Sequence, residues 1–323
     1  MFRVVSSAAL PAPTQDILGP GFEYVAPPTG SFGRDRLLSE LASADGLISL
    51  LTVDVDEELL AVAPNLRVVA NYAVGYDNVD VAAASKRGIA VTNTPDVLTE
   101  TTADMTWALL LAAARRVVEG DGWTRSGEWP GWAPDQHLGL QVSGQRLGIV
   151  GLGRIGLAVA RRARGFGMDV WYCGPREVEE AASVQATRVA RAELLAGCDF
   201  VSLHCPLTPD TRHIIDQAAL QAMAKHSVLV NTSRGGCVDE AALVRALGDG
   251  SIAAAGLDVF EDEPRLAPGL AQLGNVVLAP HAGSATTTTR YAMGRICAES
   301  ARDVLSGRRP ANVVNPQAYE VMT

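Results

Sequence analysis

RLGIVGLGRIGLAVARRARGF, residues 146–166, is the stretch that decides the fold. An apolar run, Arg146–Val150, leads straight into Gly151-Leu152-Gly153-Arg154-Ile155-Gly156 and then into a helical pattern over Leu157–Phe166. The G-x-G-x-x-G spacing carries weight because it stands between a strand and a helix. Gly151 permits the tight turn, Gly153 lets a pyrophosphate approach the backbone, and Gly156 lets the helix pack close to the strand. The helix N-terminus adds N–H groups and the positive end of a dipole. A purely structural glycine turn is the alternative, and this context disfavours it.

The next strand, Asp169–Tyr172, bears on the choice of dinucleotide. An NAD site places an acidic residue at the end of that strand, where it holds the ribose hydroxyls. Here the strand runs into Cys173-Gly174-Pro175-Arg176, without a carboxylate, and Asp169 stands at the opposite end. A 2′-phosphate carries about −1.5 to −2 charges, and an arginine attracts it. Arg176 offers a fork of N–H donors for it. The reading is NADP(H) preferred and NAD(H) possible, with Gly174 and Arg176 facing the ribose. A solvated Arg176 on an enzyme that uses both cofactors is the alternative.

Working outward, apolar β-rich runs alternate with helical patterns along the whole chain, which predicts parallel sheets covered by helices. Strands are expected at Phe2–Val5, Phe22–Val25, Leu47–Leu50, Val68–Ala70 and Ile89–Val91. After the glycine loop they are expected at Asp169–Tyr172, Phe200–His204, Val228–Asn231, Ala255–Val259 and Val276–Ala279. Thr101–Glu119 reads as one long apolar helix, with its acidic residues early and its arginines late, as the helix dipole favours. A stretch rich in Gly, Trp and Pro follows, carrying Trp123, Trp129 and Trp132, and is either packed beneath a loop or a subunit contact. The expected architecture is two doubly wound α/β domains. A dinucleotide-binding domain covers 101–286, and a substrate domain joins 1–100 to 287–323. A cleft between two such domains is a natural ligand site.

Composition narrows the function classes. The 323 residues carry a net charge of −9, which disfavours a general nucleic-acid or acidic-membrane surface. No apolar run approaches the roughly 20 residues of a membrane span, and the N-terminus lacks a signal peptide's apolar stretch. The five cysteines are scattered and form no C-x-x-C pair, so neither a disulfide framework nor a metal site is expected, and a cytoplasmic location fits. Lys86 and Lys225 are the only lysines, which leaves few candidates for Schiff-base chemistry.

Ligands of open parallel sheets bind beyond the carboxyl ends of the strands. On that rim stand His204-Cys205-Pro206, then Asn231-Thr232-Ser233-Arg234-Gly235-Gly236, then Asp258 with Glu263 just after, then Pro280-His281-Ala282-Gly283. These types suit reduction of a 2-oxo acid. Arg234 can hold the carboxylate with two parallel hydrogen bonds. His281 can give the proton that the carbonyl oxygen needs as hydride reaches the carbon. Glu263 beside it would orient the imidazole and favour its charged form. Taken singly, each residue also fits an ordinary salt bridge, a solvated carboxylate or a strand-end histidine.

The order of these motifs resembles the D-isomer-specific 2-hydroxyacid dehydrogenases, nearest to the glyoxylate/hydroxypyruvate reductases. The resemblance rests on NYAVGYDNVDV (71–81), TADMTWALLLAAARR (102–116), GIVGLGRIG (148–156), LHCPLTPDTRHII (203–215), LVNTSRGG (229–236), GLDVFEDEP (256–264) and PHAGSAT (280–286). It implies that Arg234, Glu263 and His281 are the catalytic triad. It implies that the Val74 and Gly75 amides hold the substrate carboxylate and that the loop at Leu50 lines the pocket. Asp258 would meet the nicotinamide carboxamide. Arg154, Ile155, Cys205, Pro206, Thr211, Thr232 and Gly283 would line the cofactor. It further implies a homodimer built on the long helix and the following arm, with Trp132 reaching the partner's pocket.

Departures from the family pattern refine this. Glu263 stands where formate dehydrogenases carry Gln, and the length leaves no room for the regulatory domain often carried by phosphoglycerate dehydrogenases. A phosphite dehydrogenase, a bulkier D-2-hydroxyacid dehydrogenase, or a dinucleotide-sensing binding protein are the alternatives.

Overall fold

The computed structural model describes residues 1–321 and divides into two compact units, residues 1–98 with 285–321, and Thr99–Ser284. In the first unit five parallel strands lie in the order β2-β1-β3-β4-β5: β1 (Phe2–Ser6), β2 (Phe22–Val25), β3 (Gly46–Ser49), β4 (Val68–Asn71) and β5 (Ala90–Thr92). The helices between them are α1 (Thr14–Leu18), α2 (Arg34–Leu41), α3 (Glu57–Ala61) and α4 (Val81–Lys86). Strands β3 and β4 are buried at every residue, as expected of parallel strands covered on both faces.

The second unit opens with α5 (Thr99–Ala114) and α6 (Val117–Ser126). Its seven strands are β6 (Arg146–Val150), β7 (Asp169–Cys173), β8 (Ala186–Arg188), β9 (Phe200–Leu203), β10 (Val228–Asn231), β11 (Ala254–Leu257) and β12 (Val276–Leu278). Helices α7 (Arg154–Ala163), α8 (Arg191–Gly197), α9 (Gln217–Ala222) and α10 (Glu240–Gly248) cover them. All pairings are parallel, in the order β12-β11-β10-β9-β6-β7-β8. Strand β6 therefore pairs with β7 on one side and β9 on the other, and the glycine loop leaves its carboxyl end where the winding reverses, the usual ligand position of such sheets. Two apolar layers sandwich the sheet, one built on Leu109, Leu110, Ile149 and Val159, the other on Leu194, Val201, Leu220 and Leu243. Helix α5 lies directly on β11, since a Cβ added at Gly256 would come within 2.9 Å of Leu109 Cβ. The long helix α11 (Thr287–Leu305) then packs on β3, β4 and β5 of the first unit, and α12 (Ala318–Val321) ends the described chain.

One expectation is corrected. Thr101–Glu119 is not a single helix: α5 ends at Ala114, the chain turns through Arg116 in the left-handed region (φ 53°), and α6 restarts at Val117. The irregular stretch accordingly begins after Ser126 rather than at Gly120. The returning segment at 137–140 makes the break. Leu140 N–H donates to the Ala114 carbonyl at 2.7 Å, and His137 Nε2 meets the Arg116 carbonyl at 3.0 Å. The Ala114 carbonyl is thereby satisfied from outside the helix, while the Arg116 carbonyl also accepts the Gly120 N–H at 2.9 Å as α6 begins. Strand β8, short and polar in sequence, was also absent from the expected set.

Candidate active site

The glycine loop is shaped as its sequence predicts. Gly151 has φ 94°, and a Cβ there would lie 2.8 Å from Cys205 N, so the loop presses on the chain leaving β9. Gly156 presses on Gly151 itself, its added Cβ falling 2.5 Å from the Gly151 carbonyl oxygen, which seats α7 against β6. Gly153, at the N-terminus of α7, is different: nothing lies within 4 Å of its added Cβ. The backbone there is open to a pyrophosphate, so the residues present fit a dinucleotide.

Beyond β7, Gly174, Pro175 and Arg176 lie at or near the surface, with Arg176 exposed. On the other side of the glycine loop Cys205 is buried, its Sγ 3.9 Å from that of Cys237, and Thr211 Oγ1 staples the following turn by donating to the Pro206 carbonyl at 2.6 Å. Thr232, nearly buried, meets Thr106 Oγ1 of α5 at 2.8 Å.

The polar rim is held by a small number of bonds. Asn231, at the end of β10, accepts the N–H (3.0 Å) and hydroxyl (2.8 Å) of Ser233 on Oδ1 and donates from Nδ2 to the Arg234 carbonyl at 2.9 Å. These bonds curl the chain so that Arg234 leaves the strand end in extended backbone, its Nη1 donating to the Ser233 carbonyl. Gly235 then passes so close to the loop after β11 that an added Cβ would lie 1.9 Å from Phe260 C and 2.3 Å from Glu261 N. The loops carrying Arg234 and Glu263 are therefore in backbone contact.

Glu263 joins two groups. Its Oε1 accepts the Phe260 N–H at 3.0 Å, and its Oε2 accepts from His281 Nδ1 at 2.9 Å. Burial raises its pKa, but the hydrogen bonds from His281 and Phe260 and the charges of His281 and Arg234 outweigh burial and leave it lowered, so it stays ionised. An ionised carboxylate only accepts, which puts the shared proton on Nδ1 and leaves Nε2 for chemistry. His281 is held in the left-handed region (φ 51°), a conformation a non-glycine residue keeps only where its surroundings impose it. Asp258 imposes it: its carbonyl accepts the His281 N–H at 2.8 Å, and its buried carboxylate takes the N–H groups of Ala282 (2.6 Å) and Gly283 (2.7 Å). Burial pushes the Asp258 pKa up, and the two amides pull it only part of the way back.

In the first unit, the ends of β3 and β4 form a separate polar cluster. Asn78 Nδ2 donates to the Leu50 and Val53 carbonyls, Asn71 Nδ2 to the Gly75 carbonyl, and Asn93 Nδ2 to the Val74 carbonyl. Val74 and Gly75 thus have their carbonyls fixed, while their N–H groups find no acceptor among the described residues. Trp132 is 84% exposed on the arm after α6.

Sequence reading missed several supports. Glu240, buried at the start of α10, accepts the Glu261 N–H at 2.7 Å and braces the loop that carries Glu263. On the same loop, Arg212 and His213 both reach Glu261 Oε1. The Gly235-Gly236 pair was the one visible sign of this close packing. Arg188, on the unexpected strand β8, donates to the Gly174 carbonyl at 3.1 Å.

Comparison with known proteins agrees with this geometry. Residues 107–283 match the family model of the D-isomer specific 2-hydroxyacid dehydrogenase NAD binding domain. A glyoxylate reductase of Thermococcus litoralis is 50% identical over 295 residues, covering 90% of this chain and 88% of its own. A solved structure from Thermus thermophilus is 46% identical, with a TM-score of 0.89 over 97% of this chain and 100% of its own. The NADPH-dependent glyoxylate/hydroxypyruvate reductase of Sinorhizobium meliloti, solved with NADP and malonate, is 34% identical, with a TM-score of 0.84 over 98% and 97%. An open glycine loop at the winding reversal, a rim of Arg, Glu and His, and these likenesses lead to one conclusion: the chain belongs to the D-isomer-specific 2-hydroxyacid dehydrogenases, enzymes that use a nicotinamide dinucleotide.

Proposed function

We propose that this enzyme reduces glyoxylate or hydroxypyruvate to glycolate or D-glycerate, with NADPH as the preferred cofactor. The observation that carries the reading is the Glu263–His281 pair, 2.9 Å apart, on the same rim as the open glycine loop. A bound nicotinamide dinucleotide supplies the hydride. Arg234 binds the substrate carboxylate and orients the carbonyl. His281 Nε2 delivers a proton to the carbonyl oxygen as charge develops there, a step worth about 10²–10⁴ in rate. Glu263 fixes the imidazole and offsets the positive charge it carries before donation. In the reverse direction His281 takes the hydroxyl proton. The Val74 and Gly75 amides are suited to a carboxylate as well.

The cofactor preference rests on the absence of a carboxylate at the end of β7, where Gly174 stands, and the presence of Arg176. The likeness to an NADPH-dependent glyoxylate/hydroxypyruvate reductase points the same way.

We further propose a homodimer. Val117, Val118, Trp129, Trp132 and Leu138 are exposed along α6 and its arm, beside a concavity of about 510 Å³ that includes Trp123 and His137. That apolar surface is suited to a second copy of the chain. Five buried, unbridged cysteines suit the reducing cytoplasm.

Initial rates with NADPH and with NADH, on glyoxylate and on hydroxypyruvate, test the function. Faster turnover with NADPH on these substrates supports it. Equal rates with both cofactors remove the cofactor preference, and no oxidation of either removes the substrate assignment.

A further inference from the structure

The end of β7 is reached from the side by β8, the outermost strand of the seven-stranded sheet. The two strands pair so that Arg188 stands opposite Tyr172. From there Arg188 Nη2 donates to the Gly174 carbonyl at 3.1 Å. Gly174 occupies the position at which an NAD site would carry its ribose-binding carboxylate. Here that position has no side chain, and a guanidinium from the neighbouring strand lies against its backbone instead.

A guanidinium has five N–H groups, and Arg188 uses one of them on Gly174. Neither Arg188 nor Arg176 has a carboxylate within ion-pair distance among the described residues, although Glu177, Glu179 and Glu180 stand on the same connection. The loop between the two arginines is itself anchored, since Val178 N–H donates to the Tyr172 hydroxyl at 3.2 Å. Arg191, opening α8, is near enough for its charge to oppose the burial that raises the Cys173 thiol. The end of β7 thus carries arginines from three successive segments.

We propose that Arg188 is a second determinant of cofactor choice, acting with Arg176 to hold the 2′-phosphate of NADP(H). A phosphate with close to two charges and three acceptor oxygens is matched better by two guanidinium forks than by one. Strand pairing and the bond to Gly174 hold Arg188 in place in advance, which lowers the ordering cost of binding. The proposal rests on the NADPH preference argued above.

The test measures binding of 2′-phospho-ADP-ribose and of ADP-ribose to the full-length enzyme by calorimetry. It compares the wild type, Arg188→Gln, Arg176→Gln and the double variant, with melting temperature as the folding control. Arg188→Gln is expected to weaken the phosphorylated probe by about 10-fold or more, the worth of one hydrogen bond to a charged group. Its affinity for ADP-ribose stays within about twofold, and the double variant no longer distinguishes the probes. A wild type that prefers the phosphorylated probe, together with an Arg188→Gln variant that keeps this preference, overturns the role of Arg188 alone. A wild type that binds both probes equally overturns the NADPH reading as well.

Discussion

Gly235→Ala tests whether the active rim is a rigid assembly. The added Cβ would lie 1.9 Å from Phe260 C, 2.0 Å from Phe260 O and 2.3 Å from Glu261 N, all backbone atoms without a rotamer to escape into. Carbon atoms rest about 3.5–4.0 Å apart, so the two loops must separate by about 1.5 Å or more. One of them carries Arg234, and the other leads to Glu263 and through it to His281 Nδ1. A misplacement of about 1 Å at a reacting centre can cost 10²-fold in rate. Overpacking of this kind costs about 1–3 kcal/mol or more, which in a protein of this size lowers the melting temperature by several degrees. The assay is kcat/KM for glyoxylate reduction, with NADPH affinity measured by fluorescence in the same preparation. The expected result is a loss of about 10²-fold or more, with cofactor affinity little changed, because the Gly151–Gly156 loop is untouched. A folded variant with wild-type kcat/KM would refute the claim that backbone contact at Gly235 sets the catalytic geometry.

The glycine loop gives a contrasting pair: Gly153→Ala should leave the apo-protein's melting temperature unchanged while weakening NADPH binding by about 10-fold or more, because the added methyl would fill open space that a pyrophosphate is proposed to occupy. Gly156→Ala, whose Cβ would meet the Gly151 carbonyl at 2.5 Å, should lower the melting temperature even without cofactor. Glu263→Gln should lower kcat by about 10-fold or more with little change in NADPH affinity, since an amide no longer holds the His281 imidazole as the carboxylate does. Burial pushes His204 down to about 3, so its unfolded form takes up a proton that its folded form refuses. Its contribution to stability is therefore complete above the ordinary histidine value near 6.5 and is lost as the pH falls from there toward 3, by up to about 1.4 kcal/mol per pH unit. Acid unfolding of His204→Gln, compared with the wild type, should show a shallower loss across that window, and identical slopes would contradict it.

The parts legible in the sequence were those written in local spacing. Gly151, Gly153 and Gly156 each answer a backbone demand, and a strand before them with a helix after them fixes where that demand arises. The two parallel sheets followed from apolar runs alternating with helical patterns. What stayed hidden depends on pieces distant in sequence. The turn at Arg116 is made by residues 137–140, which supply donors that α5 alone does not reveal. Strand β8 is three polar-edged residues that, among the described residues, pair only with β7, so no periodicity announces it. The approach of Gly235 to Phe260 and the bond from Glu261 to Glu240 arise only once two strand ends are side by side.

The most direct test of the central claim is single-turnover reduction of glyoxylate by His281→Ala, followed by the loss of NADPH absorbance after rapid mixing. The account predicts a fall of about 10²–10⁴ in the chemical step while NADPH still binds, because the group that protonates the carbonyl oxygen is gone. A variant that turns over at the wild-type rate would contradict it.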